Sequence, residues 1–305
     1  MAVRRLLHPV RFSIVLPAVL AAACWRAPAR GALAVTDDWG RRIALAAPAR
    51  RIVSLAPATT ELVFALGLGD RLVGRTHWCD FPAAALAVPD LGNGIGPNVE
   101  AVAALHPDLV LLYASAANRP ALGRFEALGI PTAVLRTDLT NDLRRAARLI
   151  AEAAGDSASA GTLLASFDRG LDAERAGSAA GGSSRVRVYV DVESNPPITV
   201  GAGSYLSEIL AAAGAANVFA DIPQPSAPVS LETIVARDPD VILVLTSDTS
   251  RALDLASRPG WRSVPAVRAH RVLAVDGSLY GRPSPRMPQA VRDLAARLAA
   301  LGPRR

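Results

Sequence analysis

The segment Thr76–Pro82 (THWCDFP) holds the most reactive side chains of this chain. His77 and Cys79 are two residues apart, so in an extended segment they would lie on one face, as a general base and a thiol nucleophile require. The sequence offers no third residue that would orient the imidazole, and it contains neither a G-x-S-x-G nor an H-E-x-x-H motif. A Cys/His hydrolase is therefore the alternative, and we expect a protein that is not an enzyme.

Metal-ligating side chains also gather in this segment, because Asp80 follows His77 and Cys79. Sites for bare zinc or manganese usually combine several histidines and carboxylates. Two further histidines, His106 and His270, stand apart from such groups and are predicted to be structural or exposed. We therefore do not favour a bare-ion site and expect no resident cofactor. A second hypothesis is that His77 or Cys79 is an axial ligand to the metal of a bound chelate.

Aromatic and arginine side chains form a second group, which suits a flat or polyunsaturated ligand. Only 5% of the residues are aromatic, yet several fall in predicted loops at strand ends, where open α/β folds bind ligands. Rings would pack against the ligand, and guanidinium groups would pair with its carboxylate or phosphate groups. Phe81 and Tyr205 are explained equally well as core residues. The candidate ligand-contacting residues are Trp78, Phe81, Tyr113, Tyr205, Tyr280, Arg282 and Arg286.

The charge distribution argues against nucleic-acid binding, although the isoelectric point is about 10.2. All 33 basic residues are arginine, and five of them precede the first acid, Asp37. Subtracting those five from the 33 leaves 28 arginines against 27 acids in the rest of the chain. No basic patch rich in aromatic residues stands out there. With 51% hydrophobic and 20% charged residues, the composition predicts a packed core.

Residues 1–34 have the pattern of an export signal. Three arginines precede the apolar run Phe12–Ala23, which is too short for an ordinary membrane span. We expect cleavage near Ala34, after an Ala-Leu-Ala sequence. The alternative is a lipid anchor at Cys24, which follows an imperfect lipobox. Either route predicts a periplasmic protein.

An internal repeat indicates which elements position these residues. The stretch Asn98–Leu112 aligns without a gap with Ser230–Val244. In each copy a capping residue opens a short helix, an acid (Glu100 or Glu232) lies in its first turn, and a proline ends it. An apolar run then predicts a buried strand. The repeat favours two similar α/β halves.

Helical periodicity over Ser157–Arg175, between the two repeat copies, predicts a helix that joins the halves, ended by the Gly/Ser-rich stretch that follows. The expected fold is α/β, with two Rossmann-like lobes bridged by one long helix. The predicted segments are an export signal (1–34), an N-terminal lobe (35–155), a backbone helix (156–179) and a C-terminal lobe (180–305).

Several local predictions bear on the site. Thr59 or Thr60 would cap a helix over Glu61–Leu66. The glycine-rich stretch 90–97 is predicted to be a flexible loop at the edge of a cleft. The stretches 193–203 and 221–228 are predicted to be loops, because prolines disfavour central strands. A C-terminal helix would begin near Pro285.

Six stretches, in this order, resemble the periplasmic cobalamin-binding proteins, which belong to the iron-siderophore, haem and cobalamin binding class of ABC importers. They are RIVSLAPATTELVFALGLGDRLVG, THWCDFP, PNVEAVAALHPDLVLL, NPPITVGAGSYLSEIL, VSLETIVARDPDVILV and the SPR at 284–286. The resemblance covers residues 35–301. It implies a class III binding protein with a helical backbone, a monomer that clamps its ligand between two lobes and delivers it to a permease.

The resemblance also implies roles for individual residues. Glu100 and Glu232 would dock into arginine pockets on the two permease subunits in the inner membrane; otherwise each merely favours its helix dipole. Ile198 falls where the family has an aromatic ligand contact. The stretches GNGIG (92–96) and QPSAP (224–228) lack the tryptophans that the family places there. Cobalamin or a related corrinoid is the expected ligand, and a ferric siderophore or haem is the alternative.

Overall fold

The computed structural model describes residues 33–179, 185–246 and 254–302. The apolar run of the predicted signal and Cys24 lie outside the described residues. Ala34 lies in the first strand, β1 (Leu33–Thr36), which pairs antiparallel with β2 (Arg42–Leu45) as the predicted hairpin. None of the helices in the described ranges combines the length and apolarity of a membrane span.

A parallel four-stranded sheet organises the N-terminal half, residues 33–156. Its strands are β3 (Ile52–Ser54), β4 (Leu72–Arg75), β5 (Leu109–Tyr113) and β6 (Thr132–Leu135). They are short apolar runs, buried as expected for a parallel sheet. Their order in the sheet is β4-β3-β5-β6, so the first strand in the chain is central and later strands are added on both sides of it.

Four helices accompany these strands. They are α1 (Pro57–Ala65), α2 (Val99–Ala103), α3 (Arg119–Ala127) and α4 (Thr140–Ala153). The prediction that Thr59 or Thr60 caps the first helix is wrong. Pro57 occupies the first turn, where its missing N–H costs nothing, so the helix starts earlier and both threonines are buried within it.

Helix α5 (Ser157–Ala179) joins the two halves. Its 23 residues span about 35 Å at 1.5 Å per residue. The predicted break after Arg175 is wrong, because the helix continues through Gly177. Leu164 and Leu171 are buried on it, and they belong to one apolar cluster that also contains residues of both halves. This shared core makes α5 part of each half rather than a free linker.

A second parallel sheet, in the C-terminal half (residues 185–302), repeats the topology of the first. Its strands are β7 (Val186–Asp191), β10 (Ala215–Asn217), β12 (Val241–Leu245) and β13 (Val272–Val275). Their order in the sheet is β10-β7-β12-β13. The accompanying helices are α6 (Tyr205–Ala212), α7 (Leu231–Ala236), α8 (Pro265–Arg268), α9 (Gly277–Tyr280) and α10 (Met287–Leu301).

The stretches predicted as loops at 193–203 and 221–228 contain a small antiparallel sheet. It consists of β8 (Glu193–Ser194), β9 (Pro197–Val200) and β11 (Ser226–Pro228), in the order β11-β9-β8. Proline is tolerated at Pro228 because β11 is an edge strand. Strands this short give almost no alternation in the sequence, which is why they were not predicted.

The sequence repeat is confirmed as a repeat of structure. Helix α2 and strand β5 correspond to α7 and β12 at a constant offset of 132 residues (Asn98 to Ser230). The Asn98 side chain accepts the Ala101 N–H at 3.1 Å, and the Ser230 hydroxyl accepts the Thr233 N–H at 3.2 Å. The same capping chemistry therefore starts the helix in both copies.

The ends of the two repeat helices also match. His106 has φ 46° and its counterpart Asp238 has φ 41°, so both adopt the left-handed conformation that ends a helix. The role of His106 is therefore structural, as predicted: it ends the helix, and its side chain is exposed. His270 has φ 54° and is exposed as well.

Replacing His106 by glycine is expected to raise the free energy of unfolding by about 1 kcal/mol, because glycine has no β-carbon to strain the left-handed conformation. Urea denaturation of the purified protein measures this change. His106→Ala keeps the β-carbon and serves as the control, for which we expect no gain. Equal stability of the glycine and alanine variants would contradict the explanation.

Candidate functional site

A cavity of about 460 Å³ lies at the carboxyl ends of the strands of the N-terminal sheet. Leu55, Thr76 and Thr137 line it from the segments that follow β3, β4 and β6, and Tyr113 lines it from the end of β5. The segment after α9 adds residues of the C-terminal half. Parallel α/β sheets bind ligands at this edge because the strand-to-helix loops converge there.

A second cavity of about 210 Å³ lies beside the first and is lined largely by the C-terminal half. The two cavities share four lining residues: Thr137, Asp138, Gly281 and Pro283. They therefore form one groove with residues of both halves on its walls, which we call the cleft. Its volume falls within the range of pockets for small organic ligands.

Five of the predicted ligand-contacting residues line the cleft. Trp78, Tyr113 and Arg282 line the larger cavity, and Tyr205 and Tyr280 line the smaller one. The Trp78 side chain is 61% exposed, although tryptophan is usually buried in the absence of a partner. An exposed indole on a cavity wall is a surface to which a flat ligand can bind.

The three cleft phenols are held as neutral groups by the fold. Tyr113 donates to Asp138 at 2.7 Å, Tyr205 donates to the Ser284 carbonyl at 3.2 Å, and Tyr280 donates to an acid on α10. Burial raises the pKa of each phenol well above its ordinary value. Protonated phenols offer rings and hydrogen bonds rather than phenolate charge.

Three other predicted residues line neither cavity. Ile198 lies in β9 opposite Pro228. Arg286 binds an acid of the N-terminal half, and its guanidinium stacks on the Phe81 ring at 3.8 Å. Their assignment to ligand contact stays a prediction for a liganded form.

The glycine-rich stretch lies at the cleft edge, as predicted. Asn93, Gly94 and Ile95 line the larger cavity. Asn118, which is fully buried, donates to the Gly94 carbonyl at 3.2 Å and accepts the Gly96 N–H at 2.9 Å. A β-carbon on Gly94 would meet the Leu55 carbonyl oxygen at 2.1 Å, so glycine is required there. The expected flexible loop is thus held in place by one buried amide.

Comparison with known proteins settles the family. A family model described as periplasmic binding protein matches residues 52–279 of this chain, well over half of it. The chain belongs to the periplasmic binding protein family. The predicted fold is confirmed by solved structures that share it.

Three comparisons are informative about this periplasmic binding protein. An uncharacterised ABC transporter substrate-binding lipoprotein, YvrC of Bacillus subtilis, is 31% identical over 86% of this chain and 83% of its own length. The periplasmic heme-binding protein RhuT from Roseiflexus sp. RS-1 is 28% identical, with TM-score 0.74 over 83% of this chain and 98% of that one. The periplasmic vitamin B12 binding protein BtuF of Vibrio cholerae is 27% identical, with TM-score 0.70 over 84% and 99%.

The periplasmic binding protein contains an ion-pair cluster that sequence reasoning missed. Glu61, on α1, accepts from Arg286 Nε at 2.8 Å and from Nη2 at 2.6 Å. Arg282 donates to Asp80 at 2.8 Å and lies 3.7 Å from Glu61. Each pair joins the N-terminal half to the C-terminal half, and a separation of more than 200 residues leaves no signal in the sequence.

The surroundings of Cys79 give no support to the two alternatives for its thiol, a nucleophile and an axial metal ligand. The thiol is fully buried, and it contacts the hydroxyls of Thr60 and Thr76 at 3.1 Å each. It has no exposed surface from which to attack a substrate or to ligate a bound metal. The His77 ring lies tilted against the Trp78 ring, with ring centroids 4.5 Å apart, and its role as an axial ligand stays a prediction. Within the described ranges, acids, histidines and cysteines form no metal-holding group of three.

The two repeated acids lie on the surface of this periplasmic binding protein. Glu100 and Glu232 are each the second residue of their helix and are exposed. Glu100 forms an ion pair with Arg124. The pKa of Glu232 is lowered by its own backbone N–H and by the Ser230 hydroxyl, so its side chain is charged at neutral pH. Neither acid lines the cleft.

Proposed function

We propose that this chain is the substrate-binding protein of an ABC importer and that it captures cobalamin or a related corrinoid in the cleft. The observation that carries the proposal is a ligand-sized cleft walled by both halves, with an exposed indole on its wall. Membership of the periplasmic binding protein family and relatives named vitamin B12-binding protein support it. The protein acts by binding and delivery, without catalysis and without a resident cofactor.

Haem or a ferric siderophore is the second candidate ligand. A heme-binding protein has a slightly higher TM-score to this chain than the vitamin B12 binding protein does, 0.74 against 0.70. Another neighbour is named for Fe³⁺-hydroxamate transport. The hydrolase alternative loses its support, because its nucleophile, Cys79, is buried.

Calorimetric titration of the mature chain with cyanocobalamin, cobinamide, haemin and a ferric hydroxamate tests the ligand class. We expect one equivalent of a corrinoid to bind more tightly than either iron chelate. Tighter binding of haemin or of the ferric hydroxamate would replace the corrinoid by the second candidate.

Replacing Trp78 by alanine is expected to weaken ligand binding by roughly 10- to 100-fold, since a buried aromatic contact at a binding site is worth about 1.4–3 kcal/mol. The dissociation constant measured by calorimetry reports this loss. Leu86→Ala is the control: Leu86 is exposed in the segment that follows Trp78 but lines neither cavity. Equal effects of the two substitutions would contradict a ligand contact at Trp78.

We also propose that Glu100 and Glu232 contact the two permease subunits. The two acids occupy equivalent positions in the repeat, each exposed at the start of a short helix. A pair of like surfaces on the two halves is what a two-subunit receptor would recognise. The export signal would deliver the protein to the periplasm as a monomer, with a lipid anchor at Cys24 as the alternative to cleavage near Ala34.

A further inference from the structure

One carboxylate occupies the junction of the two cavities. Asp138 lines both of them, and its Oδ1 accepts a hydrogen bond from the Tyr113 hydroxyl at 2.7 Å. A carboxylate has about four acceptor positions, and Tyr113 occupies one. Asp138 forms no ion pair with another of the described residues. Its remaining acceptor positions are therefore available to the hydrogen-bond donors of a ligand in the cleft.

The backbone of Asp138 is fixed from both halves of the protein. Its N–H donates to the Asp142 carboxylate at 3.0 Å, and its carbonyl accepts the Tyr205 N–H at 2.6 Å. Tyr205 belongs to α6 in the C-terminal half, so this contact joins the two halves at the cleft floor. A carboxylate positioned in this way is preorganised and loses little freedom when a ligand binds.

The negative charge of Asp138 is not balanced by the arginine that lies in the same cavity. Arg282 also lines the larger cavity, but it is paired with Asp80 at 2.8 Å and has Glu61 at 3.7 Å. Burial and Asp138 itself raise the pKa of Tyr113, so the phenol stays a neutral donor. The cleft therefore offers a ligand one negatively charged hydrogen-bond acceptor, Asp138. Beside it lies Arg282, whose charge is already balanced.

We infer that Asp138 determines ligand specificity by accepting N–H groups of ligand carboxamides and by disfavouring ligand carboxylates at the same place. A carboxamide satisfies the free acceptor positions, whereas a carboxylate brings a like charge into a partly desolvated site. The inference rests on the proposed function, since it assumes that the cleft binds the transported ligand. Corrinoids carry peripheral carboxamides and haem carries two carboxylates, so one residue would separate the two candidate classes.

Pairs of ligands that differ only in carrying a carboxamide or a carboxylate at the same position test the inference. The mature chain, Asp138→Asn and Tyr113→Phe are titrated with cyanocobalamin and its monocarboxylic acids, in which one peripheral amide is hydrolysed. A parallel series uses haemin and its diamide. The unfolding temperature of each variant establishes that it is folded. Tyr113→Phe keeps the carboxylate and the ring, so it is the matched control.

The unmodified chain is expected to bind amide forms about tenfold or more tightly than at least one of the acid forms, because like charges across an interface are strongly disfavoured. Asp138→Asn removes the charge and should reduce that ratio to about threefold or less, while Tyr113→Phe retains it. An unchanged ratio in Asp138→Asn, on the ring system that binds, would overturn the inference.

The two series separate this inference from the proposed function. Binding of the haemin pair but not of cyanocobalamin would reject the corrinoid as ligand, and the haemin pair would still decide the role of Asp138. If neither cyanocobalamin nor haemin binds, both the proposed function and the inference about Asp138 are rejected.

Discussion

The variant Glu61→Ala is expected to lower the free energy of unfolding by about 3–5 kcal/mol, the cost of leaving the partner of a buried ion pair uncompensated. The Glu61 side chain is only 2% exposed and that of Arg286 is 14% exposed. Two hydrogen bonds of 2.8 and 2.6 Å join them. Removing the carboxylate leaves the Arg286 guanidinium without its ion-pair partner, whereas Arg282 keeps Asp80 at 2.8 Å.

Chemical denaturation of the purified protein measures this change, and Glu100→Ala is the matched control. Glu100 also forms an ion pair with an arginine, Arg124, but the two side chains are 69% and 59% exposed. We expect that substitution to cost only about 0–1 kcal/mol, because solvent screens such pairs. Similar losses in the two variants would contradict the assignment of the Glu61 pair as the buried tie between the halves.

The double variant Glu100→Ala, Glu232→Ala is expected to abolish uptake while leaving ligand affinity unchanged. Both acids are exposed and line neither cavity, so binding of the ligand does not involve them. Replacing both acids removes a charged contact to each permease subunit, so the affinity of the protein for the permease falls at two sites at once. Uptake of labelled ligand by cells and calorimetry on the purified protein measure the two effects separately.

The control for docking is a double variant that removes two other exposed acids, Glu152 on α4 and Asp172 on α5. It changes the net charge equally, so a general electrostatic effect would reduce uptake in both double variants. We expect transport to be normal in the control. Normal transport by the Glu100, Glu232 double variant would exclude the proposed docking.

The repeat made the core of the fold predictable. Capping residues at Asn98 and Ser230, a proline at the helix end and an apolar run are local signals, and each occurs twice. They specify a helix–strand unit without knowledge of distant contacts. The location of the cleft followed from the rule that parallel sheets bind at their carboxyl ends.

The parts that sequence reasoning missed depend on contacts between distant residues. Glu61 looked like an ordinary helical residue, and its partner Arg286 looked like a free cation for a ligand. Only the packing of α1 against the segment before α10 brings the two together. Cys79 lies in a segment full of polar groups, yet the fold turns its thiol towards Thr60 and Thr76.

A crystal structure of the purified protein with cyanocobalamin shows whether the cleft binds a corrinoid. We predict a corrin ring in the cleft, in contact with Trp78, and a peripheral carboxamide within hydrogen-bond distance of Asp138. A bound ligand outside the cleft, or a cleft that stays empty in crystals grown with saturating cyanocobalamin, would contradict capture of a corrinoid between the two halves.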